Sequence, residues 1–256
     1  YARSLSKSDK IIVEKMLKGK EWYSNYAIVD GQIRLLTLNG MYAEPGELKN
    51  LYSITTTVSD NVERFCKEIN PKIEEVLKKV GCKQGLAWVQ VMLDEDDKFY
   101  IIEMGYRLPG DMTFIPYSDM FNLDVTKWLV DYALGIKKPI SEMPDNQVSE
   151  YKQCGCCYSL WTNKEGILTE ISGLDEILND SSFGYYSLNQ IGSHFAYHRP
   201  LGVLTFTSQD VECMIKKIKY INNVLTMKNE NLEDVIIRYT DFDYLRKIYQ
   251  DGLAGK

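Results

Sequence analysis

"GLAWVQVMLDEDDKFYIIEMGYRLPGD", Gly85 to Asp111, holds two β-type runs joined by an acidic tip. Alternation along the first run places Trp88, Gln90 and Met92 on one face. The same alternation places Phe99, Ile101 and Glu103 on one face of the second. A tight connection through Asp94–Asp97 predicts an antiparallel hairpin, with the Gln90 and Glu103 regions close across the ladder. The second run ends on an acid, and Arg107 follows a short step later. A buried carboxylate is costly unless a positive charge sits beside it. On these residues alone two readings stay open. Either Glu103 and Arg107 form an ion pair at the strand end, or both face a cleft that holds something charged. Two side-chain oxygens on adjacent strands suit a hard cation, because magnesium keeps several waters and takes few protein oxygens beside nucleotide phosphates. Arg107 would then be a planar donor for a phosphate or carboxylate.

Upstream, "IIVEKML" (11–17) reads as a short buried strand interrupted by Glu14. Gly19-Lys20-Glu21 then opens the next strand. An extended linker between the two exposes backbone N–H and C=O groups suited to an adenine edge. Glu21 can accept ribose hydroxyl hydrogen bonds, or it is an ordinary exposed charge at a strand start. In "EWYSNYAIVDGQIRLLTLNGMYA" the pair Asp30-Gly31 between β-rich segments predicts a second hairpin. In residues 59–81, Val62, Phe65, Ile69, Ile73, Val76, Leu77 and Val80 recur at helical spacing. Ser59 is the expected N-cap, Gly81 the stop, and Pro71 a kink or division. An amphipathic helix is expected over 122–135, and "IKKPISEMPDNQVSEYKQ" is the expected linker. Beyond it come β-type runs "CGCCYSLWT", "ILTEIS" and "GVLTFTS", and a helix from about Gln209 to Val224. Hairpins alternating with helices, without regular βαβ crossovers, predict an α+β protein with a mainly antiparallel sheet.

Composition bounds the function classes. The net charge of −6, with a pI of about 5.2, argues against a large non-specific nucleic-acid surface. No apolar run reaches the roughly 18 residues of a membrane span, and the first residues hold no signal-peptide apolar core. The cysteines form no disulfide framework, so reduced thiols in a cytoplasmic protein are expected. "CGCC" (154–157) lacks a second Cys or His pair at zinc spacing and reads as strand packing. His194 and His198 have the spacing of a helical metal pair, but the Gly and Pro around them predict a strand and turn. The chain begins with Tyr1, not Met, and its opening reads as the interior of a domain, which predicts an internal fragment.

Together, "IIVEKMLKGKEWYS" and the Gly85–Asp111 stretch, in that order with a helix between them, resemble the ATP-grasp superfamily. The likeness points to the branch containing carbamoyl phosphate synthetase, biotin carboxylase and the purine-pathway carboxylate–amine ligases. It covers roughly residues 8–135. It implies the C-terminal half of an ATP-grasp domain over 1–138: an antiparallel sheet flanked by helices, with a smaller mixed α/β region (139–256) packed onto it.

The resemblance also implies roles. Glu14 leads into the adenine-binding linker formed by Lys15, Met16 and Leu17, and Glu21 binds the ribose. Gln90 and Glu103 are the paired magnesium ligands, with Mn²⁺ as a possible substitute. Arg107 lies near the transferred phosphate and the substrate. One position departs from the pattern: Gly105 stands where the family often has Asn, which removes a side-chain oxygen from a second metal site. The nucleotide-binding lysines and glycine-rich loop of active members belong before the position of Tyr1. The expected activity is therefore that of a longer protein, an ATP- and Mg²⁺-dependent ligase that activates a carboxylate as an acyl phosphate for an amine or other nucleophile. Its partners would be small molecules, not nucleic acid or membrane, with a homodimer compatible. The alternatives are a non-catalytic binding or scaffolding module on the same fold, and a biotin- or bicarbonate-using carboxylase. The stretches 41–57 and 107–118 are either pocket walls or surface loops.

Overall fold

Asp30 and Gly31 both adopt left-handed backbone conformations, with φ of 49° and 79°. Such a turn twists with the flanking strands, and it folds β1 (Gly19–Val29) back onto β2 (Gln32–Ala43). Around this hairpin the computed structural model describes residues 2–8, 10–48, 51–144 and 153–254. A one-turn helix α1 (Ala2–Leu5) precedes it, and β3 (Tyr52–Thr56) follows. Next come α2 (Val62–Glu68) and α3 (Asn70–Lys79), then the second hairpin, β4 (Gln84–Asp94) with β5 (Phe99–Gly105). Helices α4 (Phe114–Phe121) and α5 (Val125–Ala133) lead towards the C-terminal region. That region contains β6 (Cys154–Trp161), β7 (Gly166–Ser172), α6 (Leu174–Leu178), β8 (Phe183–Ser187) and β9 (His194–Phe195). It continues with β10 (Pro200–Ser208), α7 (Val211–Val224), β11 (Thr226–Asn229) and α8 (Phe242–Ala254).

Eight of these strands form one antiparallel sheet in the order β5-β4-β1-β2-β3-β6-β10-β8. The sheet crosses from the N-terminal hairpins into the C-terminal region through β3 and β6, where Ile54 faces Tyr158 and Thr56 faces Cys156. A smaller sheet, β11-β7-β9, lies apart from it. The architecture is α+β. No helix among the described residues is long and apolar enough to cross a membrane.

One face of the β4-β1-β2 region is sealed by α2 and α3. Trp22, Tyr26, Val89 and Val91 pack there against Phe65, Ile73 and Leu77. The other face is covered at one end only, where Ala27, Val29 and Leu86 meet Tyr117, Val125 and Trp128 from the α4–α5 side. At the opposite end of that face Glu21 and Gln90 are half-buried and Glu103 is exposed. A third cluster joins β6 and β10 to α7 and α8 through Tyr158, Phe206, Ile218 and Ile248.

Several expectations hold. The helical stretch divides beside Pro71, with Ile69 leaving the helical region at φ −120°. Gly81 ends α3 at φ 81°: its N–H reaches Lys78 O, and Cys82 N–H reaches Leu77 O, a Schellman closure. His194 lies on β9 and His198 in the turn after it.

Two expectations are corrected. Ser59 is not the N-cap: its hydroxyl donates to Leu38 O, and Asn61 takes the position before α2. Nor is 11–17 a buried strand. It runs without a ladder partner among the described residues, with Ile12 87% and Val13 84% exposed. A strand is buried by neighbours that satisfy its backbone and cover its side chains, and this stretch has neither. The expected linker contains a 3₁₀ turn at Ile140–Glu142, and its second part, 145–152, lies outside the described residues.

Candidate functional site

The β4–β5 ladder puts Gln90 directly opposite Glu103. Simple alternation would have grouped Glu103 with Phe99 and Ile101, and that grouping is wrong. A β-bulge pairs Ile101 with Val91 and Glu103 with Gln90, leaving Ile102 as the additional residue. Phe99 and Ile101 therefore side with Leu93 and Val91, on the face sealed by α2 and α3, while Glu103 joins Gln90 on the open face. Glu103 is exposed, and its carboxylate has no hydrogen-bond or ion-pair partner among the described residues. The ion-pair reading fails too. Arg107 donates to Leu108 O at 2.8 Å and stacks over the Trp88 ring at 5.2 Å.

Glu21 stands on the same open face, because β1 pairs it with Met92, next but one to Gln90. Gln90 Nε2 donates to Glu21 Oε2 at 2.8 Å, and the Tyr52 hydroxyl donates to the same oxygen. Burial and then the neighbouring Glu21 carboxylate push the Tyr52 phenol upwards, so it stays a donor. The Gln90 amide oxygen has no hydrogen-bond partner among the described residues.

A cavity of about 850 Å³ opens at the start of β1, with Met16, Leu17, Glu21, Tyr52, Met92 and Tyr244 in its walls. Of the expected linker residues, Met16 and Leu17 line this cavity, and Glu14 and Lys15 are outside its wall. On the sealed side of β1, Lys20 Nζ reaches Asp60 Oδ2 at 2.7 Å, and Trp22 Nε1 donates to Asp60 Oδ1 at 3.0 Å. Burial pushes the Lys20 ammonium down, but the hydrogen bond and charge of Asp60 outweigh it and leave the group above its ordinary range. Lys20 also lies over the Tyr244 ring at 5.4 Å, so α8 contributes to the cavity.

Trp88 explains Gly105. The two residues face each other in the ladder, and a Cβ at position 105 would lie 2.3 Å from Cε2 and Nε1 of the indole. The space that an Asn side chain would need is filled by the ring that supports Arg107. Gly105→Asn is therefore expected to cost about 1–3 kcal/mol through overpacking. Adding Trp88→Ala should recover most of that loss in urea denaturation, and equal stability of wild type and single variant would refute the packing account.

Sequence reasoning did not find Asp60 or Tyr244, which reach the cavity from other elements, while Tyr52 belongs to the stretch 41–57 read as either pocket wall or surface loop, and lines the cavity. It did give Trp88 the face of Gln90, but no role. Ribose and metal contacts apart, the donor set fits a magnesium ion that retains water: one free carboxylate and one amide oxygen. No group of three His, Cys, Asp or Glu side chains that could hold a metal occurs among the described residues.

No family model matches the sequence, and no curated protein does. Solved structures do. The L-amino acid ligase from Bacillus licheniformis superposes with a TM-score of 0.70 at 16% identity, over 84% of this chain and 53% of that one. The fold is the ATP-grasp fold. Phosphoribosylglycinamide synthetase from Anaerococcus prevotii matches with a TM-score of 0.65 at 16% identity, over 89% of this chain and 57% of that one. The biotin carboxylase domain dimer of Hydrogenobacter thermophilus 2-oxoglutarate carboxylase, in complex with MgADP, ADP and bicarbonate, matches with a TM-score of 0.60 at 11% identity. That alignment covers 85% of this chain and 46% of that one. The chain thus spans about half the length of the ATP-grasp structures it matches.

Proposed function

We propose that this chain is part of an ATP- and Mg²⁺-dependent ligase that joins a carboxylate to an amine or other nucleophile through an acyl phosphate. The observation that carries the reading is the opposition of Gln90 and Glu103 on an open sheet face, beside Glu21 and the large cavity. In the reaction a carboxylate oxygen attacks the γ-phosphorus of ATP. The bond to the β–γ bridging oxygen breaks, giving acyl phosphate and ADP. The amine nitrogen then attacks the acyl carbon, the bond to the phosphate oxygen breaks, and the nitrogen releases a proton, giving an amide and inorganic phosphate.

The chain's own residues position and neutralise. Glu14, Lys15, Met16 and Leu17 form the stretch that meets the adenine, with backbone groups free of any ladder. Glu21, held by Tyr52 and Gln90, accepts from the ribose hydroxyls. Gln90 and Glu103 would hold the metal, and Arg107, levelled by the Trp88 ring, steadies the anionic oxygens of the phosphoryl group. Magnesium, or manganese in its place, supplies neutralisation of phosphate charge when bound. The MgADP in the Hydrogenobacter domain supports that choice of metal and nucleotide.

The free state of all six cysteines suits a reducing cytoplasm, and the dimer of the same Hydrogenobacter domain makes a homodimer the assembly to test. Gly105 favours one second reading, a binding module that kept the fold without turnover. Nucleotide binding by the full-length protein with and without Mg²⁺, followed by a phosphate-release screen against amino acids, separates the two. Mg²⁺-dependent ATP binding with substrate-stimulated phosphate release is expected. Binding without release under any substrate would favour the module, and no nucleotide binding would sink both.

A further inference from the structure

A second, smaller cavity of about 140 Å³ opens on the same sheet face. Tyr23, Met41, Trp88, Gln90, Pro109 and Asp111 form its walls. The Asp111 carboxylate accepts from the Tyr23 hydroxyl at 2.5 Å, from Thr113 N–H at 3.3 Å and from the Thr113 hydroxyl at 2.9 Å. All of these donors are neutral. No Lys, Arg or His forms an ion pair with Asp111 among the described residues, and Arg107 is turned to Trp88 and Leu108 O. A carboxylate drawn away from water without a cation carries a desolvation cost that neutral donors repay only in part.

We propose that Asp111 receives the primary ammonium group of a substrate. This rests on the ligase reading above, because that reading makes the ligand of this face a substrate. Two features select an ammonium group. The cavity has the volume of a short alkylammonium and not of a nucleotide. Asp111 is the one carboxylate in its wall, and all of its hydrogen-bond donors among the described residues are neutral. Gln90 belongs to both cavities' surroundings, touching Glu21 on one side and lining the Asp111 cavity on the other. The ammonium end of the substrate is thereby held next to the nucleotide side of the site.

The test uses the full-length protein labelled with 5-fluorotryptophan, titrated with ethylammonium chloride at constant ionic strength and observed by ¹⁹F resonance. Ethanol and propionate serve as uncharged and anionic comparators, and MgATP binding is measured on the same sample. A saturable shift of the Trp88 signal with ethylammonium alone is expected, and Asp111→Asn should weaken it at least tenfold. Absence of that shift, an equal response to ethanol, or unchanged affinity in Asp111→Asn would overturn the assignment. The comparison of ligands on the wild-type protein stands even if the variant does not fold. MgATP binding without ethylammonium binding removes the ammonium site and spares the ligase reading; the reverse result removes the ligase reading alone. In turnover assays, ethylammonium should compete with whichever substrate carries the ammonium group, which separates the carboxylate partner from the attacking amine.

Discussion

Glu103→Gln in the full-length protein is expected to weaken Mg²⁺-dependent nucleotide binding at least about tenfold and to leave the fold intact. Changes even one shell away from a bound metal cost about 10–100-fold in affinity, so the loss of a ligand charge should cost no less. The substitution keeps the shape of the side chain and one oxygen, and removes only the negative charge. Because Glu103 is exposed and unpartnered among the described residues, stability should stay within about 0.5 kcal/mol of wild type. Those two outcomes together distinguish a metal ligand from a structural acid. Calorimetric titration of a non-hydrolysable ATP analogue, with Mg²⁺ and with EDTA, measures the first, and urea denaturation measures the second. Equal Mg²⁺ dependence in wild type and variant would remove the metal assignment, whatever happens to activity.

The largest effect on stability is expected from Phe65→Ala. Phe65 is fully buried on α2, seated against the sealed face of the sheet beside Trp22, Val89 and Val91. Its ring meets Phe99 edge-on, with centroids 6.4 Å apart and an interplanar angle of 83°. Truncation removes the transfer free energy of the ring and leaves a cavity that the rigid sheet cannot close. A loss of about 3–5 kcal/mol follows, read as a lower urea midpoint with an unchanged slope. The same variant has a second consequence. Phe99 anchors the start of β5, so loosening it should also relax the strand that carries Glu103. A loss below about 1 kcal/mol would mean that α2 is not part of the cooperative core.

Much of this fold was legible because it rests on local chemistry. Asp30-Gly31 accepts two left-handed residues in succession, so the first hairpin could be read from two letters. Gly81 ends a helix for the same steric reason. Val89 and Val91 against Trp88 and Gln90 show which side of that part of β4 is buried, since side chains alternate on a pleated strand. The proximity of Gln90 to Glu103 also followed from hairpin closure across Asp94–Asp97.

The limits of such reading are equally specific. "IIVEKML" has the composition of a buried strand, but burial depends on a ladder neighbour, and composition does not say whether one is present. Alternation assumes an unbroken period of two, and the bulge at Ile102 breaks it. Nothing in "FYIIEMG" marks which residue will be the additional one, because a bulge is chosen by how two strands twist against each other and against the helices beneath. Tyr52 and Asp111 likewise reach the site through contacts far apart in sequence, with Glu21 and Tyr23.

By itself the sequence determined the hairpins, the helix boundaries set by Gly and Pro, and the residue types able to meet a nucleotide and a cation. The tertiary structure alone decided that Glu103 turns to the open face, that Trp88 occupies the space above Gly105, and that no Lys, Arg or His pairs with Asp111 among the described residues. The division has one physical origin: turn and cap preferences are fixed within a few residues, while the direction and charge balance of a side chain depend on strands and loops brought together only by folding.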